Sequence, residues 1–180
     1  MHIRLSMAIG LSIVDDHTDE ELGNLSTILV HPETGMVEGI LVRIPHLFRS
    51  EEFFVSAIDV VHWGAHIRVS GADALSPLEE RVRLQAFVDE GRTLLDQKIL
   101  TEGGAVLGTC KDVQFNTKTF QLEWLFPRKF LRWALAVPAS SIIEVKPEGV
   151  IVRETALPIS TEETPVIKAI EELAKTPTAG

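Results

Sequence analysis

The chain predicts an all-β protein: two small, strongly bent antiparallel β-barrels, joined by one helix and followed by a short C-terminal helix. Three observations carry this expectation. The stretch Leu22–Gly39, LGNLSTILVHPETGMVEG, returns 85 positions later as Leu107–Leu122, LGTCKDVQFNTKTFQL, so the chain is built twice. Around each copy, short apolar runs alternate with polar or glycine-containing turns, which is the period of half-buried strands. Between the copies, Ser76–Glu90 changes to a helical period.

In chain order, the N-terminal segment MHIRLSMAIG reads as a turn ahead of a first strand. Its apolar run from Leu5 to Val14 is short, is interrupted by Ser6, Gly10 and Ser12, and meets Asp15 and Asp16 without a small-residue cleavage site, so it does not read as a signal peptide. Leu11–Val14 forms the strand and DDHTDEE the turn after it. The strand from Leu22 to Val30 enters a hairpin, His31–Gly35, where Pro32 presets φ and Gly35 supplies the left-handed position. Met36–Ile44 returns, with Ile40, Val42 and Ile44 on one face and Gly39, Leu41 and Arg43 on the other. Phe53–Ile58, Val60–Trp63 and His66–Val69 complete the first set; closure into a barrel would remove exposed sheet edges.

At Ser76 an N-cap, Pro77 at the first helical position and Glu79 at the capping-box position open the helix, and Gly91 is placed to stop it. The second set begins at Thr93–Leu100 and the turn TEGG. Ala136–Ile143 then matches Phe54–Val61, and Gly149–Val152 matches His66–Val69. Phe120, Leu122, Trp124 and Phe126 alternate with Gln121, Glu123 and Leu125, which predicts a strand whose aromatic face is core. The boundaries are residues 1–72 for the first barrel, 73–91 for the helical connector, 92–155 for the second barrel and 156–180 for a tail. In that tail Thr164 and Pro165 start an apolar stripe of Val166, Ile167, Ile170, Leu173 and Ala174, an amphipathic helix that should dock on the barrels or on a partner.

Composition narrows the classes of function. Among 180 residues, 17 Lys+Arg against 26 Asp+Glu give a formal charge of -9, which disfavours broad binding to nucleic acid or anionic lipid by the surface as a whole, while leaving room for a local basic patch. The single cysteine, Cys110, excludes an internal disulfide, suits a cytoplasmic protein and reads as a small core residue. No run reaches the roughly 20 apolar residues of a membrane-spanning helix. The six histidines, at 2, 17, 31, 46, 62 and 66, all fall before the second copy and read as surface or turn residues, with no metal site and no cofactor expected. Ser140-Ser141 lacks an activating histidine in its own half, and no phosphate-binding glycine loop is present, so no catalytic set and no small-molecule substrate are expected.

The Leu-Gly strand, the Pro-x-Thr-Gly hairpin, the segment VPASSIIEV (Val137–Val145) and the closing strand GVIVRE (Gly149–Glu154) resemble the PRC-barrel family. That family includes the cytoplasmic domain of the photosynthetic reaction-centre H subunit and the C-terminal domain of the ribosome maturation factor. The resemblance covers residues 3–71 and 91–154 in tandem. It implies a non-enzymatic barrel that binds other macromolecules, and it brings no catalytic residues. The second hairpin departs from the pattern: Phe120 stands where Gly35 does, and a bulky residue disfavours a left-handed conformation, so that turn should differ.

One constellation stands above this background. After the third strand of each copy, cations and large apolar residues recur together: Arg43, Leu47, Phe48 and Arg49 in RIPHLFRS, and Arg128, Lys129, Phe130, Leu131, Arg132 and Trp133 in PRKFLRW. Two readings stay open. Phe48 and Phe130 fold back to plug a barrel end under arginine stems, or the loops form a binding surface with aromatic and arginine anchors. On the second reading the protein is a cytoplasmic adaptor or scaffold for a protein partner or a second copy of itself, with peripheral membrane contact open. A ribosome- or RNA-associated assembly factor is the alternative, which the acidic balance disfavours.

Overall fold

A computed structural model describes residues 1–45, 50–80, 86, 88–90 and 92–154. Of the expected helix, Ser76–Glu90, positions 81–85 and 87 lie outside the described residues, as do the amphipathic tail, 156–180, and Leu47, Phe48 and Arg49; at its expected start Ser76 is no N-cap but bridges to Phe54, and a single 3-10 turn spans Leu78–Glu80. The described chain is mainly β. It opens with β1 (His2–Arg4) and a single helical turn, α1 (Leu5–Ala8). The first sheet comprises β2 (Ser12–Asp15), β3 (Glu21–Val30), β4 (Val37–Pro45), β5 (Ser50–Ser56), β6 (Val60–Trp63) and β7 (Ile67–Val69), in the order β5-β4-β3-β2-β7-β6. The second comprises β8 (Lys98–Thr101), β9 (Val106–Asn116), β10 (Leu122–Lys129), β11 (Arg132–Trp133), β12 (Val137–Pro138), β13 (Ile142–Lys146) and β14 (Gly149–Val152), in the order β11-β10-β9-β8-β14-β13, with β12 on β10.

The antiparallel expectation needs a correction, because each sheet is mixed. In the first, β2 pairs with β7 in parallel, Ile13 opposite Ile67; in the second, β8 pairs with β14 in parallel, Ile99 opposite Val150. A parallel neighbour needs a long return path, and the intervening strands supply it by bringing the last part of each copy back beside its first.

The copies agree in backbone detail as well as in sequence. Gly10 N–H donates to Leu25 O at 2.9 Å and Leu25 N–H to Leu11 O at 2.9 Å; at the matching places Asp96 N–H donates to Cys110 O and Cys110 N–H to Gln97 O, both at 2.8 Å. Gly23 and Gly108 are required by close approach: an added Cβ would stand 2.7 Å from Arg43 O in one copy and 2.9 Å from Arg128 O in the other. The Leu-Gly motif therefore seats the strand that carries the cations.

The second hairpin does not differ as its sequence suggests. Phe120 adopts φ +55° beside φ +67° for Gly35, and the loops close alike, Gly35 N–H to His31 O at 3.0 Å and Phe120 N–H to Asn116 O at 2.8 Å. The penalty is offset by contacts between the copies. Val37 N–H donates to Phe120 O at 2.7 Å, Leu122 N–H donates to Gly35 O at 2.9 Å, and the Phe120 ring meets Trp63 edge-on at 6.5 Å. Trp63 also meets Phe115 of the second copy at 5.3 Å and 77°. Its buried indole N–H has no hydrogen-bond partner among the described residues, so aromatic packing is what holds this side chain. One hydrophobic cluster runs through both copies, from Ile13, Ile40 and Val55 to Ile99, Leu125 and Val150. Cys110 lies within it, fully buried, and burial pushes its thiol up to about 12.

The N-terminal segment also departs from expectation. It is a strand added to the far copy: His2, Ile3 and Arg4 pair antiparallel with Asn116, Phe115 and Gln114. Leu5 and Ala8 are buried behind it. In β10 the aromatic face is not all core, because a register shift between Leu122 and Trp124 resets the alternation. Leu122 and Leu125 turn inward, whereas Trp124 is 40% exposed.

Candidate functional site

The site predicted from the basic and aromatic residues resolves into two unlike halves. In the first copy Arg43, on β4, lies within the sheet. Its Nη2 donates to Glu52 Oε1 at 2.9 Å and to Ser26 Oγ at 3.1 Å, and Ser26 Oγ donates to the same carboxylate oxygen at 2.6 Å. Arg43 and Glu52 face each other across the β4–β5 ladder, so the charge is matched at its own register. These bonds hold the Glu52 carboxyl below its ordinary value of 4.5, the Ser26 hydroxyl first and the Arg43 guanidinium next, against the opposing effect of burial.

In the second copy the equivalent position is Arg128, and its surroundings are different. Strands β10 and β11 form a hairpin whose last pairs are Arg128 with Trp133 and Lys129 with Arg132, leaving Phe130-Leu131 as a two-residue turn. Ala134 N–H donates to Pro127 O at 2.9 Å and anchors its base. Phe130 is 92% exposed, Leu131 84% and Trp133 56%, so the barrel-plug reading does not hold for Phe130. Among the described residues Arg128, Lys129 and Arg132 make no ion pair. Lys129 and Arg132 stand directly opposite each other, an arrangement of like charges that weakens a ladder.

Sequence reasoning missed Arg4. Its Cζ lies 3.9 Å from the Phe126 ring centroid and 5.4 Å from that of Trp133, while Arg128 Cζ lies 5.9 Å from the same Trp133 ring. Nε of Arg4 donates to Asp112 Oδ2 at 2.9 Å, and Ser6 donates to the same carboxylate through N–H at 3.0 Å and Oγ at 2.6 Å. The N-terminus thus braces the root of the hairpin through a buried acid. No local signal could have shown it, because the partners stand 108 residues apart in the chain.

Among the described residues no three His, Cys, Asp or Glu side chains converge to hold a metal ion. His31 is buried rather than exposed, and its Nδ1 accepts from Glu33 N–H at 3.2 Å; His2 pairs with Glu123 at 2.7 Å. A cavity of about 390 Å³ is lined by Leu29, Leu41, Leu78, Val88 and Leu94 with Glu52, Arg92 and Asp96, and the Glu52 carboxyl is held below its ordinary value, the direction opposite to that of a proton donor. No helix among the described residues is long and apolar enough to cross a membrane.

The shifted acids serve the fold. Asp15 is lowered from 3.8 chiefly by the His17 N–H at 2.8 Å, with Thr18 N–H at 3.1 Å and Ala72 N–H at 3.0 Å adding to it against burial. In Glu123 burial acts upward, but hydrogen bonds from Gln114 and His2 outweigh it, and the net shift is down from 4.5. A carboxylate lowered by folding contributes stability that is present above its unfolded value and is lost as pH falls through the folded one. The thermal midpoint is therefore expected to stay level above about pH 6 and to fall steadily below about pH 4.5. In Glu52→Gln that acid limb should be shallower; an unchanged limb would assign it to other carboxylates.

Compared with family models, the chain matches none, and a search among curated proteins gives no match.

Proposed function

We propose that this protein is a non-enzymatic cytoplasmic adaptor or scaffold, built of two PRC-type barrels and a joining helix, that engages a macromolecular partner through the β10–β11 hairpin. The supporting observation is the company that the cations keep. In a chain of net charge -9, three of them, Arg128, Lys129 and Arg132, are gathered with no ion pair among the described residues, beside Phe130, Leu131 and Trp133, which are exposed. Such a surface is unfavourable in isolation and becomes favourable when covered, and exposed aromatic and arginine side chains are the usual anchors of contact surfaces. The first copy, with Arg43 tied to Glu52, is the structural half of the pair. Its loop residues Phe48 and Arg49 add no argument, since they lie outside the described residues.

Affinity capture from the native cell, comparing the intact chain with Arg132→Glu/Trp133→Ala, tests this reading. The double variant is expected to lose the captured partners while its thermal midpoint moves by no more than about 2 °C, since both side chains are exposed. Equal capture of proteins and of membrane lipid by both chains sinks the proposal, and a fall of ten degrees or so would show that the hairpin belongs to the packed fold.

A further inference from the structure

We infer that the surface covered by the β10–β11 hairpin is an anionic lipid bilayer, which the tip enters. This rests on the reading of that hairpin as the contact surface and names its partner. The residues are arranged in depth. Phe130 and Leu131, with nothing polar to offer, form the apex; Lys129 and Arg132 are the first pair behind it, and Arg128 with Trp133 the second. An apolar apex backed by cations and a tryptophan matches the order met on approaching a bilayer from its interior: hydrocarbon, then headgroups, where tryptophan and basic residues concentrate.

Other partners fit this order less well. Nucleic acid would meet Phe130 and Leu131 first, of which only Phe130 can stack on a base and neither binds phosphate, and the chain's acidic balance is the reverse of a broad basic face. A protein partner takes its anchors in the middle of a wide surface, whereas here they stand at the end of a two-residue turn. The overall charge of -9 is compatible with an anionic membrane because a projecting tip holds its own cations nearest the surface, and repulsion from acids beyond about 10 Å is screened at physiological salt.

Phe130 supplies a second observation. It occupies φ +55° as the first residue of the turn, the place that glycine takes in two-residue hairpins of the II′ kind. Phe120, at the same φ, is held by Trp63 and by bonds to the other copy; Phe130, 92% exposed, has no such compensation. A glycine would suit the fold better, so the aromatic ring serves something outside the fold.

Flotation with phosphatidylcholine vesicles, with and without about 30% phosphatidylglycerol, tests this on the full chain. The protein should float only with the anionic vesicles, with a blue shift of tryptophan emission. Lys129→Glu/Arg132→Glu should lower the partition coefficient by at least about 30-fold. Phe130→Gly should lower it about tenfold while the thermal midpoint holds or rises. Failure to float with anionic vesicles, or equal flotation of intact protein and both variants, overturns the inference. If vesicles are ignored while capture of a protein or RNA still depends on Arg132 and Trp133, the lipid assignment falls and the adaptor reading stands; if neither depends on the hairpin, both fall.

Discussion

Phe115→Ala is expected to lower the free energy of unfolding by about 3–5 kcal/mol, a large share of the roughly 5–15 kcal/mol available to a domain of ordinary stability. Phe115 is fully buried, lies between Ile3 and Leu122 in the sheet, and meets the Trp63 ring edge-on. The substitution opens a cavity where the two copies join, in a cluster that runs through both, so the loss should not be confined to the second copy. Denaturant unfolding followed by tryptophan emission and by far-ultraviolet circular dichroism should give coincident single transitions in the intact chain and in the variant. Two separated transitions would show that the halves fold independently and that the shared cluster is a weak contact.

The second large effect falls on Asp112. Asp112→Ala removes a carboxylate that is 1% exposed and that accepts from Arg4, from Ser6 twice, and from Val113 N–H at 2.9 Å. Breaking a buried pair by deleting one partner costs more than the pair contributes, because the remaining charge is stranded. Arg4 is partly exposed and can rehydrate, which limits the expected loss to about 2–3 kcal/mol. The loss should be directional, with β1 and α1 detaching first. Amide exchange at Thr117, whose N–H donates to Met1 O at 2.8 Å, should rise more than exchange in β3 or β4. A loss under about 0.5 kcal/mol, or a uniform rise in exchange, would mean that the N-terminus is held by Leu5 and Ala8 rather than by the buried acid.

What the sequence made legible was local. The repeated Leu-Gly, the hairpin at His31–Gly35 and the strand Val60–Trp63 are written in neighbouring residues, and each forms close to where its pattern places it. Three features were decided by distant partners. The left-handed Phe120 is set by Trp63 and by β4, which override its own preference. The bulge after Leu122 moves Trp124 outward, since one extra residue reverses every later side chain in the strand. The seat of Arg4 on Phe126 joins residues more than a hundred positions apart in the chain. The site was legible in composition, as cations beside aromatics, but not in its asymmetry. Arg43 and Arg128 occupy the same place in their copies, and only the acid on the adjoining strand, present as Glu52 and absent beside Arg128, separates a neutralised position from a free one.

The bonds that tie the two hairpins together are reciprocal. Val37 gives its N–H to Phe120 and Leu122 gives its own to Gly35, and each residue of one pair is the counterpart of a residue in the other. This is the pattern of an isologous dimer contact, closed at two members and unable to propagate into a filament. Two separate subunits would form it only at sufficient concentration, and being identical they would carry the same residues at every place. Joined in one chain, the contact is independent of dilution, and its two sides are free to differ. One keeps a cation locked against a glutamate, while the other holds three cations open.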